Sequence, residues 1–296
     1  MKPARVVALV AAAILALVGA VRAAPMSVRD SLGHEITLTA APARIVSLVP
    51  SATEILFAIG ADDRLVGVTR FCDYPPAVKT KTSVGDMLAP NLETITALKP
   101  DLVIVTDEGN REETFAQLRR LRVPIFLVHA HRVSDAATVI ERLGELTARQ
   151  AEARAVVQRM HERVAALKRA VAPFPRPRVL YAVWPDPLIV PGRDALVTEL
   201  IDLAGGDSIT AGDGDAYPRF SLEAAVARNP EVIVLATHGA GTPVGAKEKF
   251  ERFASLAAVR TGRVHAVNGD LLHRYTPRLV DGLELLARAF HPEAFR

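Results

Sequence analysis

His129 and His131 stand two residues apart at the end of an apolar run, so on an extended strand both imidazoles point the same way, as paired metal ligands do. No carboxylate or thiol beside them in sequence completes a ligand set, so the expectation is no metal; His238, His265 and His273 are the partners that folding could bring. A bare zinc or manganese carrier would need three or four such convergent groups. Cys72 precedes Asp73, but no paired histidine is evident to activate it, and a buried or cleft-lining thiol is expected. Ser47 and Ser51 do not sit in a Gly-x-Ser-x-Gly elbow, so an exported α/β hydrolase lacks its nucleophile here. Gly205-Gly206 lacks the strand-to-helix fingerprint of a nucleotide site and reads as a helix stop.

The other chemistry on offer is recognition. Large ring-bearing ligands call for aromatic and soft side chains, with a few polar groups to fix orientation. Parallel sheets present such groups on the loops after their strands. That rule selects Phe71 and Tyr74, Asp86 and Met87, Asp107 to Asn110, Trp184, Tyr217, and Asp270 to Tyr275. Trp184 is the only tryptophan, and core packing and ligand stacking are equally open to it.

Two stretches that position these groups repeat within the chain. Thr53-Glu54 through Gly60-Ala61-Asp62 is echoed by Thr198-Glu199 through Gly205-Gly206-Asp207, and Leu92-Glu93 through Val105 by Leu222-Glu223 through Leu235. A duplicated order implies two similar lobes with a cleft between them. Residues 24–44 suggest an edge hairpin turning at Gly33, and Ser51 with Glu54 has the spacing of a capping box. Strand-helix alternation follows, which implies parallel sheets covered by helices. From Asp135 to Ala172 the pattern becomes helical, broken at most near Thr147, until Pro173, Pro175 and Pro177 end it. The expected fold is α/β: two doubly wound, Rossmann-like lobes (24–146 and 173–296) joined by one long rigid helix (147–172), with a ligand cleft between the lobes.

Residues 1–23 carry Lys2 and Arg5, an apolar run from Val6 to Ala20, and Val21-Arg22-Ala23, the form of an export signal cut after about Ala23. The run is shorter than the ~20 residues a membrane span needs. Losing Lys2, Arg5 and Arg22 takes the formal charge from +3 to zero, which argues against nucleic acid as a partner. With 50% apolar residues and a single cysteine, stability must come from the core rather than an intramolecular disulfide.

Arg44-Ile45-Val46-Ser47-Leu48-Val49-Pro50-Ser51-Ala52-Thr53-Glu54, the Asp73-Tyr74-Pro75-Pro76 turn, Asn91-Leu92-Glu93 and Leu98-Lys99-Pro100-Asp101-Leu102-Val103-Ile104 resemble the class III, helical-backbone periplasmic binding proteins of ABC importers, above all their cobalamin-binding branch. The resemblance covers essentially the whole exported chain. It implies a periplasmic monomer that is not an enzyme and has no cofactor. Its role would be to capture a corrinoid, or alternatively haem or a ferric siderophore, for a dimeric inner-membrane permease. It places Glu93 and Glu223, one per lobe, as permease-docking residues. Phe71, Thr106, Ile189, Tyr217 and Leu271 match cleft positions that are largely aromatic in the cobalamin binder; only Phe71 and Tyr217 are aromatic here. Under the iron-chelate alternative, Arg193, Arg219 or Arg274 would meet an anionic ligand.

Overall fold

Parallel strands buried on both faces need an apolar residue at nearly every position, and Ile45-Val46, Leu102 to Val105 and Val232 to Leu235 supply such runs. A computed structural model describes residues 26–237 and 245–296; the expected export signal (1–23) and His238 lie outside the described residues. In chain order the described elements are β1 (Met26–Arg29), β2 (Glu35–Leu38), β3 (Ile45–Ser47), α1 (Pro50–Ala58), β4 (Leu65–Val68), β5 (Thr82–Ser83), α2 (Leu92–Ala97), β6 (Leu102–Val105), α3 (Glu112–Arg120), β7 (Ile125–Leu127), α4 (Val133–Leu146) and α5 (Gln150–Val171). They continue with β8 (Arg178–Ala182), β9 (Trp184–Pro185), β10 (Leu188–Ile189), α6 (Leu196–Leu203), β11 (Asp207–Ser208), α7 (Leu222–Ala227), β12 (Val232–Thr237), α8 (Ala246–Glu251), α9 (Ala257–Arg260), β13 (Val264–Asn268), α10 (Asp270–His273) and α11 (Leu279–Phe290).

Two parallel sheets result, ordered β5-β4-β3-β6-β7 and β11-β8-β12-β13. In each, the first strand has its successors on opposite sides, so the order reverses beside β3 and beside β8. Ligands of open α/β sheets sit at the carboxyl ends of such strands. The 26–38 hairpin pairs only with itself, as a separate two-stranded sheet turning at Gly33. The repeated segments fold alike: Asn91 caps α2 by accepting from Thr94 N, and Ser221 caps α7 by accepting from Ala224 N. Gly60 and Gly205 both end their helices at positive φ, as a helix stop requires.

Alternate strand residues face different cores, as a period of two dictates. Val46, Val103 and Val105 face one outer core, and Leu180, Ile233 and Leu235 another. The opposite faces, with Ile45, Leu102, Ile104, Val179, Tyr181 and Val234, join Val156, Met160 and Leu167 of α5 in a single inner core. At 22 residues α5 is about 33 Å long, and it is packed into both sheets' shared core. The break from α4 falls at residues 147–149, where Ala148 has φ of 54°.

One expectation is overturned at α1. Val49 is the N-cap and no side chain caps this helix, so Ser51 and Glu54 form no capping box. The Glu54 carboxylate instead turns toward the second lobe, where its side chain is 3% exposed. It accepts from Arg274 Nη1 at 2.9 Å and, through both oxygens, from Arg278 Nε and Nη2 at 2.8 Å. Arg274 also donates to Asp73 at 2.6 Å and lies 3.3 Å from Asp270, while Arg278 stacks 3.6 Å over the Tyr74 ring. Burial works against the Arg274 charge, but the hydrogen bonds to Asp73 and Glu54 outweigh it and hold the guanidinium protonated.

Removing one partner from a buried pair leaves the other charge uncompensated, at a cost of about 3–5 kcal/mol. Glu54→Ala should therefore lower the thermal midpoint by roughly 10 °C, read by scanning calorimetry, whereas an unchanged midpoint would show that solvent already compensates these arginines.

Candidate ligand cleft

Between the lobes, the carboxyl ends of β3, β6 and β7 meet the segment that joins α10 to α11. There a cavity of about 200 Å³ is lined by Val49, Ser51, Met87, Thr106, Glu108, His129, Arg274 and Tyr275, among others. Backbone turns fix this wall. Ser47 Oγ donates to Val49 O at 2.9 Å, buried where no solute reaches it. Asn110 accepts from Thr106 N at 2.8 Å and donates to Met87 O at 2.7 Å, which ties the loop after β6 to the one before α2.

The loop after β6 and the end of β7 hold the densest polar chemistry. β6 and β7 are parallel neighbours with Val105 opposite Leu127, so Asp107 and Glu108 come level with His129 and His131. His129 Nδ1 is 2.8 Å from Asp107, and His131 Nδ1 is 3.4 Å from Glu108. Tyr275 of the other lobe donates to the Glu108 carboxylate at 3.3 Å. Burial pushes Glu108 up, partly offset by His131 and His129. Tyr217 keeps 45% of its surface exposed, yet burial of its hydroxyl end and then the Glu108 charge push it up to about 12. The expectation that no carboxylate joins His129 and His131 is therefore corrected: Glu108 is distant in sequence but adjacent across the ladder.

Of the selected residues, Met87, Thr106, Glu108, His273, Arg274 and Tyr275 come together in the cavity wall, whereas Phe71, Tyr74, Asp86, Trp184, Ile189, Tyr217, Asp270 and Leu271 are not part of it. Thr106 is buried, its hydroxyl accepting from Glu108 N at 3.3 Å. Asp86 pairs with Arg70, whose guanidinium also lies 5.1 Å over the Phe71 ring. Trp184 and Ile189 face each other in the β9-β10 hairpin, with the indole donating to Asp186 O at 2.8 Å. Asp270 and Leu271 sit on the short helix α10 rather than in a loop, because Leu272 anchors that turn in the inner core. Arg274 lines the cavity but is already committed to Glu54, Asp73 and Asp270.

Among the described residues, the large aromatics left exposed are Phe71 (45%), Tyr74 (41%), Trp184 (42%) and Tyr217 (45%), all on segments that follow parallel strands. Glu93 and Glu223 are exposed in the first turns of α2 and α7. The Ser221 hydroxyl donates to Glu223 at 2.7 Å and holds that carboxyl below the usual carboxylate range. Cys72 is buried, with its thiol pushed up by burial against hydrogen bonds from Thr53 and Thr69. No paired histidine appears in those contacts, so the thiol is not activated as a nucleophile. Glu54 and Arg278 are the interlobe residues that sequence reasoning missed, since their partners lie more than 200 positions away.

Known proteins match this arrangement. An uncharacterised ABC transporter substrate-binding lipoprotein of Bacillus subtilis is 31% identical over 279 residues, covering 92% of this chain and 87% of its own. A vitamin B12-binding protein of Vibrio cholerae is 32% identical over 242 residues, covering 81% and 86% respectively. The crystal structure of the periplasmic vitamin B12-binding protein of Vibrio cholerae superposes with a TM-score of 0.74 at 30% identity, over 86% of this chain and 99% of that one. A periplasmic haem-binding protein of Pseudomonas aeruginosa does so with 0.77 at 27%, over 85% and 93%. The periplasmic binding protein family model spans residues 45–271, from the first strand of the five-stranded sheet to helix α10. With that match and these relatives, the two-lobed chain belongs to the periplasmic binding protein family.

Proposed function

We propose that this chain is an exported, monomeric solute-binding protein that captures a corrinoid between its lobes and delivers it to a dimeric ABC permease in the inner membrane. Its signal is cut after about Ala23, and it carries no catalytic residue. The observation that carries the corrinoid is the likeness, over most of both chains, to relatives named for vitamin B12 binding. The cleft chemistry supports it. Phe71, Tyr74, Trp184 and Tyr217 offer exposed aromatic surface for a large ring system, and Met87, Thr106 and Tyr275 line the cavity between the lobes; Asp86, Ile189, Asp270 and Leu271 complete the proposed contact set. A cavity of about 200 Å³ is too small to engulf such a ligand, so this reading requires the exposed aromatics to carry most of the contact.

The likeness to haem-binding proteins favours a second reading of the same cleft, in which Tyr217, Tyr275 or a cleft histidine meets iron. Titrating the exported form with cyanocobalamin, with haemin and a ferric siderophore in parallel, separates the two. The corrinoid reading expects one-to-one binding that quenches the single tryptophan and weakens roughly 5- to 30-fold in Trp184→Ala, as loss of a well-packed aromatic contact does. Binding of haemin alone would move the assignment to iron.

Glu93 and Glu223 occupy equivalent places in the two lobes, capped by Asn91 and Ser221, and present their carboxylates to solvent. They fit a pair of basic pockets on a two-fold permease. The double variant Glu93→Ala, Glu223→Ala should bind ligand with unchanged affinity yet lose uptake in cells; unimpaired uptake would remove the docking role.

A further inference from the structure

We propose that Glu108, His129 and His131 form a binding site for a divalent first-row transition ion of the zinc or cobalt class on the wall of the cleft. The three side chains offer ligand atoms that all lie within 4.8 Å of one another. One pair already has the spacing of a coordination sphere: two ligands each ~2.1 Å from a tetrahedral ion are roughly 3.4 Å apart, and His131 Nδ1 lies 3.4 Å from Glu108 Oε1. The two imidazoles approach edge to face with centroids 4.0 Å apart, so their planes do not compete for the same space.

Neighbouring groups supply the support that a ligating set needs. A metal-bound histidine generally donates its other ring N–H to a carboxylate, which fixes the tautomer and the ring direction. Asp107 stands 2.8 Å from His129 Nδ1 and leaves Nε2 for an ion. The ligating carboxylate is itself held, by the Tyr275 hydroxyl at 3.3 and 3.4 Å. Arg274, which lines the same wall, is committed to Glu54, Asp73 and Asp270. Two imidazoles and one carboxylate suit zinc, cobalt, iron or nickel rather than magnesium or calcium. Three protein ligands leave at least one position open, for water or a donor atom of whatever occupies the cleft.

This inference does not depend on the corrinoid reading, and the metal is tested alone. Untagged, chelator-stripped protein would be titrated with zinc chloride by calorimetry, and with cobalt chloride by visible absorption, where a tetrahedral site gives an intense spectrum. One-to-one binding is expected. Glu108→Gln and His131→Ala should each weaken it by about 100-fold or more, and Asp107→Asn, which acts only by positioning His129, by about 10- to 100-fold. His161→Ala, on the solvent side of α5, should leave it unchanged. No saturable binding, or binding that survives His129→Ala with His131→Ala while circular dichroism shows both variants folded, overturns the site. Cyanocobalamin titrated into the same metal-free preparation separates a failure of this site from a failure of the ligand reading.

Discussion

A carboxylate taken out of water costs several kcal/mol unless charges and hydrogen bonds surround it, and Glu54 meets that constraint only because two arginines of the opposite lobe reach it. Its carboxylate accepts three hydrogen bonds, one from Arg274 and two from the two-pronged Arg278 guanidinium, while Asp73 and Asp270 balance the second positive charge. Such a cluster adds little net stability against an apolar alternative; it specifies geometry, because only one mutual placement of the lobes satisfies every group. The segment from Arg274 to Arg278 is fixed by it, and that segment carries Tyr275 to the cleft wall and Arg278 onto Tyr74. The cleft's shape thus depends on a salt-bridge network that joins Glu54, just after the lining Ser51, to Arg274 beside the lining Tyr275.

The long helix works in the same direction. A connector made of loops lets lobes swing, whereas α5 shares one hydrophobic core with both sheets and is pinned to α11 by Arg163, which bridges Asp281 and Glu284. A frame of this stiffness would hold Glu93 and Glu223 at a fixed separation, as the proposed docking requires, and would limit the conformational entropy lost on binding a ligand. The zinc-class site lies on the same stiff scaffold, at the ends of two paired strands, where ligand geometry is best held.

Much of this was legible in the sequence because it is local. The paired Gly60 and Gly205 stops, the buried strands and the proline-terminated helix each declare themselves within a dozen residues. What was illegible is what depends on topology. Glu54 has a good local excuse for its position, three residues after Ser51, and no window along the chain shows that Arg274 and Arg278 will claim it. His129 and His131 looked unaccompanied for the same reason: Glu108 reaches them across a parallel ladder whose register no spacing rule supplies. Asp270 and Leu271 follow a strand, as ligand loops do, but one further apolar residue, Leu272, was enough to wind them into a helical turn against the core.

The claim on which the rest stands is that the Glu54 cluster holds the lobes in one arrangement. It is tested most directly by pulsed electron paramagnetic resonance between spin labels at Glu93→Cys and Glu223→Cys in a Cys72→Ser background. A single narrow distance distribution is predicted, which broadens when Glu54→Ala is added. A broad or two-peaked distribution with Glu54 intact, or a narrow one that its removal leaves unchanged, would contradict the account.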